Sequence, residues 1–290
     1  MSALSRALYK LTGLASLITT TILWGTSFAF IKLSMSEVDP FTYTFVRTAI
    51  ATLTLTPILL YKYFNGSIDK SSFTRGFIVG LAYSIGLCLQ AAGTAYVDPS
   101  LSAFITGIST IHVHFYAAFI AKKYSLLDLA ALVLAIAGLY VLTAPAGGFG
   151  AGAALVFVAT FAWAAQIVLI ERYRGSSTLE FLTGTFSAGL VFAPLSLAHK
   201  PVLTSEAILY LVYLALVCSI GATFFQVLGQ RRVSAETAAL IFLLEPVFAT
   251  IFSALIGLEA MSPHKILGGS LLLASLYIAT ISEIKYKSQN

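Results

Sequence analysis

A carboxylate and a helix-breaking ring, Glu245 and Pro246, stand side by side in a run from Ala235 to Gly257 whose only other polar residues are Glu236, Thr237, Thr250 and Ser253. The run is long enough to cross a hydrocarbon core, which takes about 20 residues of helix. A charge near the centre of such a segment costs at least roughly 3 kcal/mol on insertion scales, so these residues face a bundle interior or a watery cavity. A carboxylate placed there can hold an ammonium group or carry a proton. Pro246 has no N–H for the carbonyl of Phe242, which frees that carbonyl beside the carboxylate and favours a bend, making Pro246 a candidate hinge.

Helical spacing gathers further candidates. Phe242 lies three residues before Glu245, on the same face as Ala238, Ile241, Ala249 and Phe252. Trp24, Ser27 and Phe28 form one such set, and Trp163 and Gln166 another; Gln90 aligns with Tyr83, and Gln226 with Ser219 and Thr223. Both tryptophans lie well inside apolar runs, away from the ends where interfacial aromatic belts form. Ser109 and His112 share a face with Tyr116, and an imidazole titrates near neutrality in water, so His112 joins Glu245 as a proton-coupling candidate. In a membrane helix, single Gln and Ser residues also serve as interhelical hydrogen bonds. His112 and His114 point roughly 200° apart on a helix and cannot share a metal without other ligands, so neither a metal nor a cofactor is expected. His-Glu-x-x-His, Gly-x-Ser-x-Gly and the phosphate-cradling and dinucleotide glycine motifs are absent from the sequence, so no enzyme is expected.

The elements that must position these residues follow from composition. Of 290 residues, 58% are hydrophobic and 10% charged, and mean hydropathy is +0.91; soluble domains carry about 25% charge. The net charge of +5 is scattered between apolar runs, which excludes a nucleic-acid surface. Cys88 and Cys218 lie inside apolar segments and read as packing residues. Apolar segments at 12–35, 41–63, 73–96, 99–121, 125–144, 151–172, 177–198, 206–229, 234–257 and 263–283 predict ten transmembrane helices and an all-α integral membrane protein. With the N-terminus inside, only Lys32, Arg47, Lys200 and Lys265 fall toward the outer face, so both termini are expected in the cytoplasm. On that side Lys32 can snorkel, and Arg47 can bind helix-end carbonyls or draw anions into an outer vestibule.

The chain also reads as a duplication. A shift of 136 superposes Gln90 on Gln226, Gly93 on Gly229 and Ala103 on Ala239; a shift of 137 pairs Tyr140 with Tyr277; and a shift of 139 pairs Trp24 with Trp163, the only two tryptophans. Ser109 then occupies the place of Glu245, and Thr110 that of Pro246. Two five-helix repeats, 1–146 and 147–290, must enter the membrane from opposite sides. This is the inverted-repeat plan of many secondary transporters, with the substrate site at the repeat interface.

Trp24-Gly25-Thr26-Ser27-Phe28-Ala29-Phe30-Ile31-Lys32, then Asp39-Pro40-Phe41 with Arg47 six residues on, and Leu244-Glu245-Pro246-Val247-Phe248-Ala249 resemble the EamA-type members of the drug/metabolite transporter superfamily. The resemblance implies a secondary carrier of small metabolites, commonly an exporter of amino acids or related compounds, with a cavity lined by the first, third, fourth, sixth, eighth and ninth helices. Such members often place a proline in the fourth helix with an acidic residue after it, where this chain has Ile108-Ser109-Thr110-Ile111-His112 followed by Lys122 and Lys123. The expectation is therefore a multi-pass transporter of the cell membrane, monomeric or homodimeric. It would move a small amphipathic metabolite, an amino acid or similar zwitterion, by alternating access, with protons as a candidate coupling partner and lipid as its surroundings. Uncoupled facilitated exchange is the alternative within transport, and a membrane scaffold or lipid-modifying enzyme the alternative outside it.

Overall fold

The computed structural model describes residues 3–121, 126–143 and 149–288; Lys122, Lys123 and the expected boundary between residues 146 and 147 lie outside the described residues. Every regular element among the described residues is helical. The first half contains α1 (Ala3–Ser34), α2 (Pro40–Phe64), α3 (Lys70–Thr94), α4 (Pro99–Thr106), α5 (Ser109–Ala121) and α6 (Leu126–Thr143). The second contains α7 (Ala151–Arg172), α8 (Thr178–Ser187) continued by a 3-10 turn into α9 (Ala193–Ala198), and α10 (Ser205–Tyr213), which a π-helical stretch, Leu214–Gly221, joins to α11 (Ala222–Gln230). It closes with α12 (Ala235–Phe242), α13 (Glu245–Leu255) and α14 (Pro263–Ser288). Eight stretches among the described residues are helical, long and apolar enough to cross a membrane: Leu8–Ser34, Pro40–Phe64, Lys70–Thr94, Pro99–Ile120, Ala151–Arg172, Thr178–Ala198, Ser205–Gln230 and Ala235–Leu255. Outside these, α6 and α14 pack on each other, with Ser275 Oγ donating to the carbonyl of Ala131 at 2.6 Å.

The boundaries follow local chemistry. Asp39 accepts from the amides of Phe41 and Thr42 ahead of α2, with Pro40 in the first turn, where its missing N–H costs nothing. Asp69 caps α3 through Ser72, whose hydroxyl and amide hold the Asp69 carboxyl below the usual carboxylate range. The first helix begins at Ala3, well before the expected residue 12. Helix-forming Ala, Leu, Arg and Lys carry it beyond the apolar run, and its start is docked where Arg232 lies over the Tyr9 ring at 5.2 Å.

The polarity of the molecule is that of a protein whose surroundings are lipid. Leu53, Tyr61, Phe64, Phe119, Leu197 and Leu255 are among the exposed large side chains, whereas Arg47, Gln90, Gln166, Glu180, Gln226 and Glu245 are buried. Helices in lipid gain little from burying apolar area against one another, so close backbone approach between small residues takes over. A Cβ on Gly76 of α3 would sit 2.0 Å from the carbonyl oxygen of Phe181, and one on Gly184 of α8 would sit 2.1 Å from that of Phe73.

Two spans are broken midway, one beside the bend expected at Pro246 and one that was expected to be continuous. In the second half the break falls at Leu243 and Leu244, just before the Glu245-Pro246 pair. In the first half, where no proline stands, the expected helix 99–121 breaks at Gly107 and Ile108, the positions related to 243 and 244 by the same shift of 136. Gly107 supplies the weak point, since glycine costs about 1 kcal/mol relative to alanine in a helix interior. Both breaks are closed by short i→i+3 bonds, Ile108 N to Ile105 O at 3.0 Å and Leu244 N to Ile241 O at 3.1 Å. A Cβ on Gly107 would lie 3.7 Å from Cγ of Pro246, so the two breaks abut. α4 packs on α13 and α5 on α12, so the broken helices run in opposite directions.

Replacing Gly76 or Gly184 by Ala forces the α3–α8 backbones apart and should lower stability by about 1–3 kcal/mol. Gly175→Ala, a position with nothing within 4 Å, should be neutral. Thermal unfolding of the three purified variants against wild type checks this.

Candidate functional site

The broken helices put their mid-span ends at one cavity. It is lined by Trp24 and Ser27 from α1, Arg47 from α2, Tyr83, Leu87 and Gln90 from α3, Thr106 and Ser109 at the first break, Trp163, Gln166 and Ile167 from α7, and Phe242 and Glu245 at the second break. The space between these residues is about 470 Å³, part of it open to the outside. The cavity is narrow in this conformation.

Glu245 is the first residue of α13 and Ser109 the first of α5. The unsatisfied N–H groups and the dipole at a helix start favour negative charge there. Glu245 is 9% exposed, and no donor among the described residues reaches its carboxylate. The walls are aromatic. Trp24 has its ring centroid 6.5 Å from that of Trp163 and 5.2 Å from that of Phe242, and Tyr83 meets Trp163 edge-on at 5.6 Å. Trp24 Nε1 donates to the carbonyl of Cys218 at 3.1 Å, inside the π-helical stretch, while Trp163 Nε1 has no acceptor among the described residues.

Polar neighbours fix the rest of the lining. Gln166 and Gln226 donate to each other's amide oxygens at 2.8 and 3.0 Å. Gln90 donates to Thr106 Oγ1 at 2.9 Å, bracing α3 against the first break. Arg47 donates to the Tyr43 hydroxyl and, from Nε, to Ser219 Oγ at 2.8 Å; the Tyr83 hydroxyl donates to the same Ser219 oxygen at 2.9 Å.

Of the residues singled out in the sequence, the fold brings Trp24, Ser27, Tyr83, Gln90, Ser109, Trp163, Gln166, Phe242 and Glu245 to the cavity, with Pro246 at its break. Three others lie elsewhere. Phe28 is fully buried against Ala103 and Ala249, because the helix turns it toward the α1–α4–α13 contact. Gln226 stands behind Gln166, its amide consumed by the reciprocal pair. His112 bonds Thr160 at 2.9 Å and stacks on Phe161 at 4.1 Å, because one turn beyond Ser109 the same helix packs on α7, which takes up the ring.

Ile167, on the face of Trp163 and Gln166, also lines the cavity, and Arg47, Leu87 and Thr106 do so without having been expected there. Arg47 was expected near the outer face, either on helix-end carbonyls or drawing anions into a vestibule; the carbonyl role falls to Lys32, which donates to Ala95 and Val97 at 2.8 and 3.1 Å. The signal for Arg47 was present in its spacing: Tyr43, Thr44, Thr48 and Ala51 share its side of α2, and all are buried.

A sequence profile of the EamA-like transporter family matches residues 11–144 and 150–281. Two proteins of Archaeoglobus fulgidus, each described as an uncharacterized transporter, are similar over nearly the whole chain. One is 26% identical, covering 95% of this chain and 87% of its own length, and the other is 24% identical, covering 91% and 96%. A crystal structure superposes with a TM-score of 0.69 at 18% identity, over 93% of this chain and 96% of that one, which establishes likeness of fold.

The Gln166–Gln226 pair is reciprocal, so removing one partner strands the other. Gln166→Leu or Gln226→Leu alone should cost about 1–3 kcal/mol. The double variant should cost less than the sum of the singles, a coupling that a double-mutant cycle of thermal unfolding measures.

Proposed function

The chain belongs to the EamA-like transporter family and is thus a multi-pass membrane transporter, and on that premise we propose that it moves a small amphipathic metabolite, an amino acid or related zwitterion, outward across the cell membrane by alternating access. In this reading α6 and α14 are the fifth and tenth spans. Residues 1–146 and 147–290 are repeats inserted with opposite orientation, and both termini are cytoplasmic. The opposed directions of the two broken helices support that plan.

One observation carries the substrate class. Glu245 presents an acceptor-only group, at a helix start, to a cavity walled by Trp24, Tyr83, Trp163 and Phe242. An ammonium group fits the carboxylate and an apolar body fits the rings. Ser27, Ser109, Gln90 and Gln166 offer neutral hydrogen bonds around them. The small space available favours a small substrate and requires the cavity to widen as it opens to either side. Pro246 and Gly107 are where that bending would occur. Glu245 also serves as the proton carrier of this reading, since it faces the cavity while His112 does not. Binding of proton and ammonium would then be mutually exclusive, which is how one site exchanges the two.

Purified protein is screened against amino acids, nucleosides, amines and organic acids by thermal shift. A ligand bound by the native state alone stabilises by RT ln(1 + [L]/Kd), about 2.7 kcal/mol at 100 times Kd. Amino acids should raise the melting temperature of wild type and fail to do so in Glu245→Gln. In proteoliposomes a pH gradient alone should drive accumulation by wild type and not by the variant. Wild-type flux with unchanged pH dependence in Glu245→Gln would refute both roles.

A further inference from the structure

Arg47 is the group the transport reading leaves unused. Its side chain lies inside a span and is 2% exposed, yet among the described residues no carboxylate oxygen comes within 4.0 Å of its nitrogens. Burying a guanidinium in lipid is costly, and such a group is retained with a counter-charge or at a functional site. Its five N–H donors have two described acceptors, Tyr43 and Ser219, both neutral hydroxyls. Those two contacts, with the Tyr43 ring beneath the guanidinium at 5.6 Å and Tyr83 bonded to the far side of Ser219, hold the plane in place. The remaining donors belong to a side chain that lines the same cavity as Glu245. The cavity thus carries one guanidinium and one carboxyl group that are not paired with each other.

We propose that Arg47 binds the carboxylate of the transported molecule while Glu245 takes its ammonium group, so that the cavity selects molecules carrying both charges. The proposal rests on the transport reading above and adds to it the residue that sets anion specificity. A guanidinium presents a planar fork matched to a carboxylate's two oxygens, which a single ammonium cannot reproduce. A dianion such as inorganic phosphate would meet the charge of Glu245 in the same small space and is disfavoured. Tyr43 and Ser219 are positioning residues: they touch the guanidinium and fix its orientation.

The test uses the full-length protein in nanodiscs and four matched probes: leucine, leucinamide, 3-methylbutylamine and 4-methylpentanoate, with the twenty amino acids as a panel. Calorimetric titration reads Kd. Truncating one partner of a buried, hydrogen-bonded charge pair weakens binding by about 30-fold or more. Arg47→Gln should weaken amino acids and 4-methylpentanoate by that factor while leaving leucinamide and 3-methylbutylamine within about threefold of wild type. Unchanged amine binding also reports that the variant is folded. Arg47→Lys, which keeps the charge and loses the fork, should fall between. Amino-acid binding unaffected by Arg47→Gln overturns the assignment and leaves the transport reading standing. Monocarboxylate binding that depends on Arg47, in a wild type that binds no amino acid, upholds the anion site and discards the zwitterion. A wild type that binds neither amino acids nor 4-methylpentanoate overturns both.

Discussion

A helix interrupted inside a membrane leaves backbone groups without partners, and no water is present in the hydrocarbon to take them. That constraint governs this molecule twice, at residues 107–108 and 243–244, and the fold answers it by putting the two breaks against each other at the centre of the bundle. Irregular backbone at membrane depth is tolerated where it is buried in protein or lines a cavity. Here it does both. Gln90 braces the first break through Thr106, and Thr110 Oγ1 reaches across to the carbonyl of Ala239 on α12 at 2.9 Å. The cavity is a consequence of the breaks: where two helices bend apart, the neighbours cannot close completely, and the exposed helix starts make the space polar.

The duplicated plan supplies the scaffold, and departures from it supply the chemistry. Positions 83 and 219, related by a shift of 136, meet across the molecule as Tyr83 and Ser219. Positions 24 and 163, both Trp, form facing walls. The pairs that have diverged carry the charge: Glu245 stands opposite Ser109, and Pro246 opposite Thr110. Gln90 and Gln226 have kept their identity but not their partners, one bonding Thr106 and the other Gln166. A two-fold cavity would offer the same group on both sides, which suits a symmetric ligand. This one is acidic at one break and neutral at the other, with a guanidinium on α2, and so has a direction.

Eight of the ten expected spans were legible in the sequence because hydropathy dictates them, and Asp39 and Ser234 cap helices that start within one residue of the expected positions. The break beside Pro246 was legible because a missing N–H is written in the residue type. The break at Gly107 was not, since a lone glycine in a membrane helix often marks close packing instead; only the structural mate at 243–244 identifies it. His112 was misassigned although it shares the uninterrupted α5 with Ser109, because spacing gives the face of a helix but not which neighbour, here α7, covers that face one turn further on. Arg47 was misplaced for another reason: the position of a charge along a span is readable from sequence, but the direction of a long side chain is not.

Beyond the cavity, two polar clusters tie the helix ends at opposite ends of α3. At its start Glu180 accepts from Lys62, Ser177 and the amide of Asp69, joining α2, α3 and α8. Past its end Lys265 donates to Asp98 at 2.8 Å and Glu259 at 2.9 Å, and Ser100 donates to Glu259 at 2.8 Å, joining α4 to the segment between α13 and α14. Each is half in water: Lys62 is 28% exposed and Asp98 56%, while Glu180 and Glu259 are buried. With one partner in water and the other buried, each pair lies between an exposed ion pair, worth about 1 kcal/mol or less, and a fully buried one. Parting these helix ends therefore requires water to reach the Glu180 and Glu259 carboxylates. At the central breaks Gly107, Ile108 and Leu243 are buried while Leu244 is 42% exposed, so the two breaks are unequally covered by protein, as they are unequally charged.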